Sequence, residues 1–290
     1  MKIIYIGDSL AQSHAIISRL WELISIIVPK KFRLKIASAA SEDEAVALYN
    51  KYSKDSSVIG FLLADSWKHA FARQEGIAGA RPELLLVNMT YHGNEGFVGD
   101  NTRPIAIQQA LETRCNLYKQ KTFLILSAKK AGLPLAQHFA QNLDKTTYFY
   151  DLSADDSIER TSGLSHLTSL PKIARHHYDV IINATPLGRF YFDKRVEAFT
   201  SPLDLEMLDS ISHKETIVQE TNVLPATPLL LQMAYHLKLQ VMTGELVLVF
   251  EALEAVKRFF DVTLDQNTIH MLTEEIKLYI AELEATILEQ

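Results

Sequence analysis

The sequence predicts an α/β protein of two domains, each built on a mainly parallel sheet with helices on its faces. Three observations lead to this fold class. β-Rich runs alternate with helical patterns along the chain, and parallel strands need such crossover connections. The length of 290 residues is enough for two domains with separate cores. A composition of 48% hydrophobic and 22% charged residues is that of a folded globular protein.

The first hundred residues follow the order β-α-β-α-β. Ser13 is predicted to cap the first helix, whose apolar residues run from Ile16 to Val28. The acidic segment 41–44 is predicted to open the second helix, where carboxylates favour the helix dipole. A polar, hairpin-like segment follows at 91–96. The predicted strands are 2–6, 32–37 and 58–63.

The rest of the chain predicts a second parallel sheet. A helix at 104–118 leads into this sheet, and a further helix begins after Gly132. Two amphipathic helices are predicted between 246 and 289, at the end of the chain. The predicted strands are 123–127, 146–150, 180–183, 216–219 and 239–242.

Charge and cysteine content exclude several classes of protein. The net charge is -6 and the pI about 5.9, whereas a nucleic-acid binder normally has a basic face. Cys115 is the single cysteine, so no disulfide can form within the chain. We find neither a signal peptide nor a run of apolar residues long enough to cross a bilayer. We therefore expect a cytoplasmic protein without a nucleic-acid or membrane partner.

The adjacent His176 and His177 lack partners at ligand spacing, so no metal site is predicted.

Three stretches in the right order are similar to one enzyme family. They are VIINATPLG at 180–188, VN at 87–88 with GDNTR at 99–103, and TPLL at 227–230 followed by Gly244. Together they resemble the shikimate dehydrogenases over essentially the whole chain. The resemblance implies a substrate domain at 1–104 with 246–290 and a Rossmann-like, doubly wound nucleotide domain at 105–245. In such proteins a ligand cleft lies between the domains, at the carboxyl ends of the strands.

Lys68 is the residue that the resemblance marks as catalytic. The segment 60–68, GFLLADSWK, aligns with the family's GFNVTIPHK, whose lysine is the general acid and base. The other interpretation is a solvated lysine at the start of a helix.

Arg103 stands where the family has the aspartate that pairs with this lysine. Two cations about 4 Å apart repel by roughly 4 kcal/mol at an effective dielectric of 20. We therefore expect either a neutral amine at Lys68 or a bound anion between the two side chains, and no Asp–Lys proton shuttle. Alternatively, Arg103 points to solvent.

Other substrate positions are also altered. The family's SLS, which holds the substrate carboxylate, is Ser13-His14-Ala15 here, and Glu251 replaces a glutamine that contacts a substrate hydroxyl. Asn88 and Asn101 are retained. The resemblance thus implies a ligand other than shikimate, with Arg103 facing an anionic group and Glu251 facing a cation or donor.

The cofactor side departs from the family as well. Its GAGGAA loop, which cradles the pyrophosphate, is replaced by the segment from Ser127 to Gly132. Lys129 and Lys130 in this segment could attract an anion or simply lie in solvent. Asp151 follows the next strand, where an acidic side chain can bind an unphosphorylated ribose. NAD would then be favoured over NADP if either binds.

The resemblance also assigns Asn183, Thr185 and Gly244 to the cofactor side.

Three hypotheses stay open from the sequence. The protein is a nicotinamide-dependent oxidoreductase acting on a small polar metabolite, a cofactor-free enzyme that reuses Lys68, or a non-catalytic binding protein. The sequence allows either a monomer or a homodimer.

Overall fold

A computed structural model describes residues 1–8, 11–73, 77, 86–117, 119–128, 131–153, 164–188 and 200–289. The chain divides into two compact units, 1–106 with 249–279 and 107–248 with 280–290. The sequence predicts domains of 1–104 with 246–290 and of 105–245, and the two units differ from these at 105–106, 246–248 and 280–290. The predicted α/β fold class is confirmed.

The strands alternate with helices through most of the chain. In chain order they are β1 (Lys2–Gly7), β2 (Arg33–Ser38), β3 (Val58–Leu63), β4 (Met89–Gly93), β5 (Gly96–Asp100), β6 (Thr122–Ser127), β7 (Thr146–Asp151), β8 (Leu164–Leu167), β9 (Val180–Ala184), β10 (Ile217–Glu220) and β11 (Gln240–Met242).

The helices begin with α1 (Ala11–Ile27), α2 (Glu42–Tyr52), α3 (Lys68–Ala72) and α4 (Arg103–Glu112). They continue with α5 (Leu133–Gln137), α6 (Leu170–Ile173), α7 (Leu205–Ile211), α8 (Leu229–His236), α9 (Gly244–Phe260) and α10 (Gln266–Glu289). A 3₁₀ turn, Asp65–Trp67, precedes α3, and a π turn, His138–Asn142, follows α5.

The two predicted helix starts have different outcomes. Ser41 caps α2 as expected, because its side chain accepts a hydrogen bond from the Glu44 N–H at 3.2 Å. The capping role of Ser13 is wrong, since the backbone is already helical at Ala11. The side chain of Ser13 lies outside the described part of the structure.

The sheet of the first unit has the order β2-β1-β3-β4-β5. β1 is parallel to β2 and β3, as the predicted β-α-β-α-β order requires. β4 is antiparallel to β3 and β5, so the hairpin-like segment proves to be the end of a true β-hairpin. The core packs large side chains on this sheet, among them Trp21, Phe61 and Phe71, which are fully buried.

The sheet of the second unit has the order β11-β10-β9-β6-β7-β8 and is parallel throughout its described pairs. The chain moves outward from β6 through β7 to β8, then returns to β9 and moves the other way. This is the doubly wound arrangement, and its switch point lies between β6 and β9. Ser127 pairs with Ala184 there. The four-residue β8 was not predicted.

Two glycines allow close approaches in the second unit. A Cβ added at Gly244, the first residue of α9, would lie 2.1 Å from the backbone oxygen of Asn222. A Cβ added at Gly132 would lie 3.0 Å from Ile125 Cγ2 and 3.3 Å from Ala184 Cβ, where α5 approaches β6 and β9. The contact at Gly244 is with backbone and far too short, whereas those at Gly132 need shifts of only a few tenths of an ångström.

We therefore expect Gly244→Ala to lower the free energy of unfolding by about 3 kcal/mol, because overpacking against fixed backbone is costly. Gly132→Ala is the matched control and should cost about 1 kcal/mol or less, since side chains can shift. Urea unfolding followed by circular dichroism measures both values. Equal losses in the two variants would contradict this interpretation of the glycines.

Candidate functional site

Lys68 lies in the first unit as the first residue of α3, directly after the 3₁₀ turn that follows β3, and it is only 5% exposed. Its neighbour Trp67 is buried in the hydrophobic core, and so is Phe71 one turn later. The Lys68 carbonyl also accepts a hydrogen bond from the Val87 N–H at 3.0 Å. Core packing therefore fixes the backbone that carries the lysine, which is not the solvated side chain of the alternative interpretation.

A cluster of four charged side chains surrounds the lysine. The Lys68 Nζ lies 2.5 Å from Asp65 Oδ1, and Arg103 Nη2 lies 3.0 Å from the same oxygen. On its other side Arg103 donates from Nε to Glu251 Oε1 at 2.6 Å. Two cations and two carboxylates thus alternate, and their formal charges cancel.

This arrangement corrects three expectations from the sequence. Arg103 does not point to solvent, since its guanidinium lies between Asp65 and Glu251. The anion that separates it from Lys68 is a side chain of the protein and not a bound ligand. Arg103 and Glu251 face each other, so their charges are not directed at separate groups of a ligand.

The structure nevertheless places an aspartate beside Lys68, although the sequence predicts no Asp–Lys proton shuttle. The family's aspartate is absent from position 103, but Asp65 supplies a carboxylate to Lys68 from another direction. The spacing of three residues within one turn is the signal that could have revealed Asp65, because side chains at i and i+3 lie on the same face.

The charge of Arg103 is held firmly by its surroundings. Burial by itself would lower the pKa of the guanidinium, but the carboxylates of Asp65 and Glu251 outweigh this effect and raise the pKa above its ordinary value. Arg103 therefore stays a cation, and the cluster needs both carboxylates to remain balanced.

The two retained asparagines shape the loop that carries Arg103. Asn88 donates from Nδ2 to Thr102 Oγ1 and accepts the Thr102 N–H at Oδ1, both at 2.9 Å. Asn101 accepts the Arg103 N–H at 3.3 Å. Because Asn88 is itself buried, these contacts set the start of α4 and orient Arg103. We assign both asparagines a positioning role from this geometry.

A second ion pair holds α9 beside the hairpin of the first unit. Arg258 donates from Nε to Asp100 Oδ2 at 3.0 Å, and Asp100 Oδ1 accepts the Asn101 N–H at 2.8 Å. Glu251 and Arg258 are seven residues apart, two turns of the same helix. The pair therefore fixes the helix that brings Glu251 to Arg103. Sequence reasoning missed Asp100 and Arg258.

In the second unit, Ser127 lies at the switch point between β6 and β9. Its hydroxyl accepts the Gly132 N–H at 2.9 Å and lies 3.3 Å from Asp151 Oδ2. Asp151 is buried, and its other oxygen accepts the Ser153 N–H at 2.8 Å. A ribose hydroxyl would have to compete with these contacts. The preference for NAD therefore stays a prediction. Lys129 and Lys130 lie outside the described residues.

The described residues fit the packing of a dinucleotide fold. In the glycine fingerprint of such folds, the third position allows close contact between helix and strand. Gly132 occupies this position in the alignment with GAGGAA, and its missing Cβ lets α5 approach Ile125 and Ala184. Ser127 occupies the first position of the fingerprint, and its buried hydroxyl accepts the Gly132 N–H within the turn. The helix–sheet geometry is thus retained, although the glycine of the tight turn is not.

Asn183 and Thr185 belong to a polar network at the ends of β9 and β10. Asn183 accepts the Thr185 N–H at 3.0 Å and the Thr185 hydroxyl at 2.7 Å. Its Nδ2 donates to Glu220 Oε2 at 2.8 Å. Gly244 packs on the adjacent backbone at Asn222. The structure therefore brings these three cofactor-side residues near Glu220, which the sequence interpretation did not single out.

Glu220 is fully buried, with 0% of its surface exposed. Burial raises the pKa of its carboxyl from 4.5 to about 7, while hydrogen bonds from Asn222, Asn183 and Thr221 act in the opposite direction. A carboxyl in this position takes up or releases its proton near neutral pH.

The described residues contain neither a membrane-spanning helix nor a metal-binding cluster. No helix among them is long and apolar enough to cross a membrane. They also contain no group of three or more His, Cys, Asp or Glu side chains that could hold a metal ion.

No protein-family model and no curated protein sequence matches the chain. Solved structures match it over nearly its whole length. A chorismate mutase/shikimate 5-dehydrogenase fusion protein from Clostridium acetobutylicum is 20% identical, with a TM-score of 0.78 over 97% of this chain and 98% of that one. The chain has the shikimate dehydrogenase fold. The predicted resemblance is therefore confirmed at the level of the fold.

Two further structures have this fold, and the two enzymes are named for different compounds. Shikimate 5-dehydrogenase from Thermus thermophilus, in complex with NADP(H) and shikimate, is 16% identical with a TM-score of 0.75, over 95% of this chain and all (100%) of that one. The 5-ketofructose reductase of a Gluconobacter species is 19% identical with a TM-score of 0.69, over 95% and 98% of the two chains. The same architecture thus occurs in reductases of different compounds.

The charged cluster can be tested by restoring the residues of the shikimate dehydrogenases. Arg103→Asp would gather three carboxylates around Lys68, and we expect a loss of about 3 kcal/mol in the free energy of unfolding. Adding Glu251→Gln removes one of these charges and should recover about half of the loss. Urea unfolding of both single variants and the double variant checks this. Additive effects of the two substitutions would contradict the observed pairing.

The pKa of Glu220 predicts a specific pH dependence of stability. Its folded pKa of about 7 lies above the ordinary value of 4.5, so the unfolded chain releases this proton first as the pH rises. Relative to Glu220→Gln, the wild-type protein should therefore lose about 3 kcal/mol of stability between pH 4.5 and pH 8. The difference between the two unfolding curves at each pH cancels other titrating groups. A constant difference would show that Glu220 does not titrate in this range.

Proposed function

We propose that this protein is a divergent oxidoreductase that acts on a small polar metabolite other than shikimate, with Lys68 as its proton donor and acceptor. The buried Lys68, with its ammonium held 2.5 Å from Asp65, is the observation that carries this proposal. Burying an ammonium costs stability even when it is paired, so a buried lysine with a fixed carboxylate partner is a candidate for a functional residue.

In this proposal Lys68 gives a proton to a carbonyl oxygen of the substrate during reduction and takes it back from the hydroxyl during oxidation. Asp65 keeps the ammonium oriented and balances its charge. Arg103 and Glu251 hold Asp65 in place and do not themselves exchange protons. A nicotinamide cofactor, when bound, supplies or accepts the hydride at the carbon atom.

Several features support a substrate other than shikimate. The two positions that differ most in charge from the shikimate dehydrogenases, Arg103 and Glu251, are engaged with each other at 2.6 Å. Ala15 replaces one of the two serines that hold the substrate carboxylate in that family. The existence of a 5-ketofructose reductase with this fold is consistent with such a change. We infer that the substrate is a small hydroxy or oxo compound.

The second unit is the part that would bind the cofactor. Gly132 and the ordered segment from Asn183 to Gly188 flank the switch point, where α/β proteins of this kind bind nucleotides. A related fold binds NADP(H), which supports NAD or NADP as the class of cofactor. The choice of NAD over NADP rests only on Asp151.

A second candidate function is favoured by the contacts of Ser127. Its hydroxyl already takes the Gly132 N–H, one of the donors at the helix start that could otherwise face a pyrophosphate. This observation supports a cofactor-free enzyme, such as a lyase or isomerase, that uses Lys68 for proton transfer alone.

Nucleotide binding and turnover separate the two candidates. The protein is titrated with NADH and NADPH by fluorescence, and a panel of hydroxy and oxo compounds is assayed with and without nucleotide. We expect binding below millimolar concentrations. Lys68→Ala should lower turnover by at least a hundredfold, because general acid catalysis contributes about 10² to 10⁴ in rate. Asp65→Asn should lower turnover by at least about tenfold, since a tenfold loss corresponds to only 1.4 kcal/mol in the barrier.

Lys35→Ala is the control, because this lysine lies on the edge strand β2 and contacts Tyr52. It should leave turnover unchanged. Absence of binding at millimolar nucleotide would eliminate the oxidoreductase, and turnover without nucleotide would support the second candidate. Full activity of Lys68→Ala would remove the lysine from both.

A further inference from the structure

The loops that follow β9 and β10 meet on a single carboxylate, that of Glu220. We propose that Glu220 is the positioning residue of the loop 183–188 and holds it in the shape in which the second unit binds a nucleotide. The part that concerns the nucleotide rests on the proposed function. The part that concerns the loop is independent of it.

The geometry of the two strands brings the network together. Glu220 and Asn183 are direct register partners on the parallel strands β10 and β9. Asn183 Nδ2 donates to Glu220 Oε2 at 2.8 Å. Glu220 Oε1 accepts the N–H of Thr221 at 2.8 Å, and from Asn222 both the backbone N–H and Nδ2 at 2.9 Å. Four N–H groups from both loops therefore converge on the two carboxylate oxygens.

The two asparagines pass this orientation on to the loop. Asn222 Nδ2 lies 3.0 Å from the carbonyl oxygen of Thr185 and 3.2 Å from that of Leu187. Asn183 Nδ2 also lies 3.2 Å from the Leu187 oxygen. Within the loop, the Leu187 N–H donates to Thr185 Oγ1 at 3.1 Å. Each asparagine amide thus links Glu220 to the loop backbone, and the carboxylate sets the direction of both amides.

A carboxylate is the side chain that suits this position. It only accepts hydrogen bonds when it is ionised, which at Glu220 requires a pH above its pKa of about 7, and both of its oxygens can then take N–H donors. A glutamine of the same shape would turn an NH₂ group towards Asn183 Nδ2, and two donors would then face each other. Because Glu220 is fully buried, water cannot compensate for the lost bond.

The loop lies where its shape matters for binding. Asn183 and Ala184 pair with Leu126 and Ser127 of β6, so the loop leaves the sheet at the switch point. Doubly wound sheets bind ligands at the carboxyl ends of the strands at this point. Residues that fix the backbone there determine which shape a nucleotide meets.

The test uses the full chain and a double-mutant cycle. Glu220→Gln should increase hydrogen exchange at the amides of 183–188 and weaken the binding of NADPH or NADH by about tenfold, the change that corresponds to 1.4 kcal/mol. Combining Glu220→Gln with Asn183→Asp reverses the direction of the hydrogen bond between the two positions. The amide at position 220 then donates to the carboxylate at position 183. This double variant should recover part of the protection and affinity but not all of it, because a carboxylate at position 183 cannot donate to the Leu187 carbonyl oxygen.

Val218→Ala is the matched control. Val218 is fully buried on the same strand, and its truncation lowers stability without touching the network. Its loop exchange and nucleotide affinity should equal those of the wild-type protein under conditions where all variants are folded. Recovery in the double variant is the result that a general loss of stability does not produce.

Several outcomes would overturn the proposal. Unchanged exchange at 183–188 in Glu220→Gln rejects the positioning role, and so does a double variant that is no better than the single one. Increased exchange with unchanged affinity rejects the link to the nucleotide. If the wild-type protein binds neither nucleotide, the nicotinamide proposal fails, and the exchange data alone then decide whether Glu220 positions the loop.

Discussion

The first unit depends on one carboxylate that two cations share. Asp65 Oδ1 contacts both Lys68 and Arg103, at 2.5 and 3.0 Å. Without it, two positive charges about 4 Å apart would repel by roughly 4 kcal/mol at an effective dielectric of 20. A protein is typically stable by only about 5–15 kcal/mol, so an unbalanced site of this kind would threaten the fold itself. The buried lysine and the arginine can coexist because the carboxylate lies between them.

This constraint explains why the two unusual substitutions occur together. An arginine at 103 needs a second carboxylate, and Glu251 supplies it from α9, 148 positions along the chain. Arg103 and Glu251 can form their ion pair only if α9 lies close to the β4–β5 hairpin. The contact of Arg258 with Asp100 at 3.0 Å helps to hold the helix there. The altered residues therefore form one connected set, in which each charge has a partner. Substitutions that arose independently, by loss of catalytic residues, would not be expected to pair with one another in this way.

From the sequence, the fold could be predicted more fully than the contacts within the site could. Alternating patterns gave most strands within a few residues, because apolar runs and turn residues are local signals. The short β8 carries no such run. The pairing of Arg103 with Glu251 depends on where a distant helix lies, which no local pattern encodes. Glu220 lies just after the predicted strand 216–219, and its role depends on the strand order that makes Asn183 its register partner.

Both polar sites use the same physical device, a carboxylate satisfied by donors of the chain itself. At Glu220 the donors converge on both oxygens, so the site is rigid and closed to other partners. At Lys68 the situation differs, because an ammonium has three N–H groups and a single oxygen of Asp65 takes only one of them. The pairing with Asp65 therefore engages one N–H of the lysine, and under the proposed function another would donate to a ligand oxygen. A balanced cluster and a working proton donor are compatible at this position.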